Sequence, residues 1–151
     1  KDNPKVDGLL FNYLHFYGSY DYVGSADNWY PYEIRVIKNN KNIYSYRDAQ
    51  GFRKDDDQKL RVKLIDAYMY HYGWVKNPKD MKTKQKNVAE FWVEDDNTLN
   101  QIRESEDLFD FNNYDSICKF TGTHPLVMQE RIRKMNWQVQ LDEKRKKIKW
   151  L

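Results

Sequence analysis

The chain has 151 residues, 40% apolar and 32% charged, with aromatics at 16% including twelve tyrosines and five tryptophans. That aromatic content excludes a disordered polypeptide, and the length is that of one domain able to bury about two-thirds of the surface its unfolded form exposes. A net charge of +3 with both signs spread along the chain does not call for nucleic acid, and a single cysteine, Cys118, excludes an internal disulfide and a cysteine-based zinc site, making a reducing compartment the easier home.

No apolar run approaches the ~20 residues of a membrane span. The start Lys1-Asp2-Asn3-Pro4 is unlike a signal peptide, and its lack of methionine predicts a processed product or an excised piece. Val6 to Tyr17 (V-D-G-L-L-F-N-Y-L-H-F-Y) reads as a buried strand ended by Gly18. The next twelve residues, S-Y-D-Y-V-G-S-A-D-N-W-Y, read as a loop suited to shaping a ligand wall. Tyrosine and tryptophan combine a flat apolar face with a polar edge, so they serve wet interfaces and carbohydrate-like ligands as well as ordinary cores.

Tyr32 to Lys38 and Ile43 to Tyr46, separated by Asn39-Asn40-Lys41-Asn42, carry a hairpin signature. Arg47 to Arg53 contains Gly51 and reads as a turn or irregular segment. Asp55-Asp56-Asp57 reads as a solvated turn; its Asp-x-Asp pattern is not taken as a metal motif, since Gln and Lys follow. Leu60 to Tyr72 is the next strand, alternating in register.

Helices then take over. Asn77 is a good N-cap with Pro78 at the first helical position, and Lys79 to Val93 follows as a helix that places Val88, Phe91 and Trp92 at helical spacing. Thr98 to Glu106 reads as a weaker helix. Thr123-His124-Pro125 opens a helix through Met135 with Val127, Met128 and Ile132 as its apolar face. Residues 138–151 form a basic tail, Glu143 to Leu151, with Trp150 at its aromatic end. Strands early and helices late predict an α+β domain with a mixed, partly antiparallel sheet followed by C-terminal helices.

Two positions carry candidate chemistry. His71 follows an apolar approach and precedes Gly-Trp, the placement of a side chain presented at a strand end; it is either a metal ligand or proton shuttle, or a hydrogen-bonded structural histidine. Asp48, in Y-R-D-A-Q-G-F-R, is either paired to its arginines or a general base oriented by them. His15 and His124 read as structural, the second helping to satisfy backbone N–H groups at a helix start. No G-x-x-x-x-G-K, G-x-G-x-x-G or G-x-S-x-G motif is present.

Taken together, D-G-L-L-F-N-Y-L-H-F-Y-G-S-Y-D-Y, W-Y-P-Y-E-I-R-V-I-K-N, S-Y-R-D-A-Q-G-F-R, Y-H-Y-G-W-V-K and F-T-G-T-H-P-L-V-M-Q-E-R-I resemble the C-terminal half of a bacterial family 2 glycosyltransferase, over roughly Val6 to Trp137. The resemblance implies a GT-A type fold whose N-terminal nucleotide-binding half, with its Asp-x-Asp metal motif, precedes Lys1. Residues 1–137 then form the acceptor-side region of the domain.

On the same resemblance, His71 matches an additional metal ligand and Asp48 lies where inverting members place the catalytic base, although the usual Glu-Asp pair is here Arg-Asp. Arg47 or Arg53 would face phosphate, and Tyr17, Tyr20 and Trp29 would be acceptor-side surfaces. The complete enzyme would use a divalent metal (Mn or Mg), a nucleotide-sugar donor and a saccharide or lipid-linked acceptor. It would be cytoplasmic, at the inner face of the membrane where the tail makes peripheral contact, and this fragment alone would be inactive. A non-catalytic saccharide- or protein-interaction module is the alternative, and a nucleic-acid binder using the tail is a third. Strands cut from a larger sheet leave edges that homo-oligomer formation would cover.

Overall fold

The structure is a computed structural model describing residues 4–25, 29–46, 51–114 and 116–143. It is a mixed α+β chain whose contacts divide into two compact units: the described residues of Lys1–Leu14 and Asp27–His71, and those of His15–Ala26 and Tyr72–Leu151. Two long strands, β1 (Gly8–Tyr17) and β7 (Val62–Trp74), contribute to both units, and they pair with each other.

In the first unit, β1 pairs antiparallel with β3 (Tyr32–Ile37), from Gly8 opposite Ile37 to Asn12 opposite Tyr32, with a bulge between Leu9 and Leu10. A separate three-stranded antiparallel sheet joins β4 (Ile43–Tyr46), β5 (Gly51–Lys54) and β6 (Gln58–Lys59). The Asn39–Asn42 turn forms as expected, with Ile43 N–H donating to the Asn40 carbonyl. The strands it joins do not pair with each other, however: β3 goes to β1 and β4 goes to β5. A turn signal fixes where the chain reverses, whereas pairing is decided by side-chain packing on the sheet face. The three-aspartate turn is also as expected, with Asp55 and Asp57 at φ 36° and 62°, a region in which Asp is among the more tolerated residues.

Asp7 ties this unit together ahead of β1. Its Oδ2 accepts from Lys54 Nζ at 2.6 Å, the Arg61 backbone N–H at 2.9 Å and Arg61 Nε at 3.3 Å. Those bonds hold its carboxyl well below the usual carboxylate range, the Lys54 bond contributing most.

In the second unit, the end of β1 pairs with β2 (Tyr22–Gly24) and β2 with β8 (Ile117–Lys119), both antiparallel. Phe16, Met81, Val75 and Ile117 are essentially fully buried here, each such side chain stabilising the fold by about 1.5–3 kcal/mol relative to leaving it in water. Helix α1 (Pro78–Trp92) has Asn77 as N-cap, accepting from Asp80 N–H at 2.8 Å, an arrangement that contributes about 1 kcal/mol. Its buried residues are Met81 and Ala89, while Phe91 and Trp92 are 83% and 64% exposed. Phe91 and Trp92, though at helical spacing, are therefore not on the buried face. The inward face is the one carrying Met81 and Ala89, and polar residues meet α2 (Asp96–Glu104) through Glu90 with Arg103 and Lys86 with the Arg103 carbonyl.

The last expected helix is short. A 3-10 turn (Leu126–Met128) leads into α3 (Gln129–Arg133), and Leu126 and Val127 lie exposed. Beyond it, Leu141 is buried and donates its N–H to the Tyr22 hydroxyl at 3.3 Å, so packing continues past the expected start of the tail. No helix among the described residues is long and apolar enough to cross a membrane.

Candidate functional site

Each unit carries one cluster worth building from its residues. In the first, β1 and β3 are paired with Phe11 opposite Glu33. Residues two apart on a strand share a face, so Tyr13, Glu33 and Arg35 fall together. Arg35 Nη2 donates to the Tyr13 hydroxyl at 3.2 Å and pairs with Glu33, and its guanidinium carbon lies 5.4 Å from the Tyr13 ring centroid. The His71 ring sits 5.6 Å from the other partner of this group, the Tyr13 ring, and Tyr30 follows at 6.3 Å. Burial pushes the Tyr13 phenol up, partly opposed by Arg35. The result is a half-buried imidazole amid phenol rings and one ion pair.

His71, Trp29 and Arg53 all belong to this unit. Arg53 lies in the separate β4-β5-β6 sheet, its guanidinium carbon 4.3 Å over the Tyr46 ring and Nη1 donating to the Phe52 carbonyl at 3.0 Å. Trp29 is half-buried, next to Tyr30 in the chain. Arg47 and Asp48, the phosphate-facing and general-base candidates, lie outside the described residues, as does the tail from residue 144 onward.

Among the described residues, no group of three or more His, Cys, Asp or Glu side chains is placed to hold a metal ion. One imidazole packed on a phenol does not make a cation site, so the described residues do not fit a self-contained one. A groove of about 310 Å³ at the start of β1 includes Asp7 and Lys38 in its lining. Both are already engaged, Asp7 as above and Lys38 with the Pro4 carbonyl.

In the second unit, Tyr17 and Tyr20, expected as acceptor-side surfaces, are only 4% and 3% exposed. Tyr17 meets Phe111 edge-on at 5.6 Å, and burial pushes its phenol up to about 12, with the Asp110 charge adding to the effect. Tyr20 packs against Tyr72 at 5.5 Å and edge-on to His124 at 6.0 Å. His124 is structural, as the sequence indicated, but by other bonds. Its Nε2 donates to the Tyr20 carbonyl at 3.0 Å, which fixes the tautomer of the neutral ring and leaves Nδ1 to accept from the Tyr72 hydroxyl at 2.8 Å.

Beside Tyr20 opens a pocket of about 440 Å³, walled by the Ser19–Asp21 turn and the stretch from Ile132 to Gln140. Trp137 is anchored in it, Nε1 donating to the Gly18 carbonyl at 3.0 Å. Sequence reading missed Trp137, Asp21, Tyr13 and Arg35. The last two are brought together by the β1–β3 pairing across the chain, which no local pattern reports. For Trp137, the alternation of inward Trp137, Val139 and Leu141 with exposed Gln138 and Gln140 was the available signal.

No protein-family model, curated protein or solved structure matches this chain.

Proposed function

We propose that the chain is the acceptor-side part of a GT-A type glycosyltransferase that moves a sugar from a nucleotide-sugar donor to an acceptor hydroxyl. The sequence resemblance motivates this reading, and the observation that carries it furthest is the setting of His71. A half-buried imidazole stands against Tyr13, which is in turn flanked by Tyr30 and Arg35, a combination of ring faces and hydrogen-bonding groups suited to a sugar or its leaving diphosphate. Asp48 is the proposed base: it takes the acceptor proton as the new C–O bond forms at the anomeric carbon and the bond to the diphosphate breaks. The divalent metal belongs to the complete enzyme, whose principal ligands lie on other segments. The proposed setting is the inner face of the cytoplasmic membrane.

Titration calorimetry with UDP- and GDP-sugars plus manganese, on this chain and on a version extended upstream, tests the reading. Donor binding by the extended version alone is expected. Tight binding by the short chain would refute the missing-half account, and no binding by either would refute the glycosyltransferase reading.

A non-catalytic interaction module is favoured by a different observation, the exposure of Tyr30, Tyr32 and Tyr68 on the first unit. It predicts glycan or protein binding that survives both chelation and His71→Ala.

A further inference from the structure

We infer that the pocket beside Tyr20 in the second unit binds one neutral or amino sugar residue. Its volume of about 440 Å³ falls within the roughly 300–1,000 Å³ of small-molecule sites. Its chemistry narrows the class. Trp137 offers an indole whose orientation is fixed by its bond to the Gly18 carbonyl, a flat apolar surface for the C–H face of a pyranose ring. Around it stand Asp21, Gln138 and Gln140. A carboxylate accepts and an amide both donates and accepts, the mixture that a set of vicinal hydroxyls requires.

Asp21 is held for this purpose. Its Oδ2 accepts from the Ser19 hydroxyl at 3.1 Å, and its own N–H donates back to that hydroxyl at 3.1 Å, so the carboxylate is oriented by its turn. One such bond occupies a fraction of the roughly four acceptor positions of a carboxylate. Asp21 itself is exposed, so the remainder faces solvent and any ligand there.

The same lining argues against the donor's diphosphate. Among the described residues that wall the pocket, none is lysine or arginine, and the one charge is the Asp21 carboxylate. Phosphate recognition depends on cations or clustered N–H donors, and a fixed carboxylate repels it. A neutral or amino sugar is compatible; a sugar nucleotide held by its phosphates is not. That the bound sugar is part of the acceptor rests on the glycosyltransferase reading, while sugar binding stands on the pocket alone.

Saturation-transfer NMR on the 151-residue chain with methyl α-glucopyranoside, methyl β-galactopyranoside, N-acetylglucosamine and glucosamine decides the matter, with UDP and adenosine as counter-probes. At least one sugar is expected to bind, and Asp21→Asn is expected to weaken it about tenfold, the loss of one charge-assisted hydrogen bond. Gln140→Ala, at an exposed position that leaves the fold intact, is expected to weaken it several-fold. Absence of binding by all four sugars, preference for UDP or adenosine over every sugar, or affinity unchanged in both variants would overturn the inference. Sugar binding here combined with no donor binding by the upstream-extended chain would leave the pocket standing and remove the glycosyltransferase reading; the converse result would do the opposite.

Discussion

Tyr17 shows how one side chain can be legible in composition and yet lie buried where a surface was expected. Its flat face and hydroxyl suit a ligand wall, but the structure encloses it against Phe111, Tyr114 and Trp74. Burial raises its phenol from 10.0 to about 12. A group whose folded pKa is raised contributes stability that is fully present below the unfolded value and is lost as pH rises through the folded one. The second unit should therefore lose stability over about pH 10 to 12, and Tyr17→Phe should move that alkaline limb upward, measured by thermal melts across the range. An unshifted limb would show that another group sets it. His124 was legible as structural, but its partners are 52 and 104 residues away in the chain, a separation that no local pattern reports.

At the scale of elements, local signals did well where the physics is local. The Asn77 cap, the Pro78 start, the three-aspartate turn and the long strand through His71 all depend on neighbours within a few residues. The hairpin pairing and the inward face of α1 depend on distant packing and were not legible. Gly18 illustrates the junction between the two. It was read as a strand terminator, and the structure adds why it is glycine: φ is +71°, and a Cβ there would lie 3.0 Å from Val139 Cγ1. Gly18→Ala should destabilise by about 1–3 kcal/mol through the backbone penalty and the forced shift of Val139. Chemical denaturation would read this as a lower midpoint with unchanged slope. Because Gly18 also holds the Trp137 indole, the same variant should shift tryptophan emission before unfolding.

For the whole molecule, the α+β class was legible; the late strand β8, which follows α1 and α2 and returns to pair with β2, was not, nor was the division into two units, because β1 and β7 each serve both. The first unit carries its own acid sensitivity. Asp7 is depressed by its bonds to Lys54 and Arg61, so its contribution is present above the unfolded value of 3.8 and is lost as pH falls below it. Asp7→Asn should lower the melting temperature at neutral pH and flatten the acid limb, followed by circular dichroism between neutral and strongly acidic buffer. An acid limb equally steep in the variant would place the sensitivity elsewhere.

The candidate sites divide in the same way, His71 and its phenols in one unit and the Trp137 pocket in the other. So do the tyrosines: buried Tyr17, Tyr20 and Tyr22 all belong to the second unit, and exposed Tyr30, Tyr32, Tyr44 and Tyr68 all belong to the first. Under random mutation the two groups face different constraints. Replacing one of these tyrosines by a small polar residue is a folding lesion in the second unit and a change of outer surface in the first, so the two sets should drift at unequal rates.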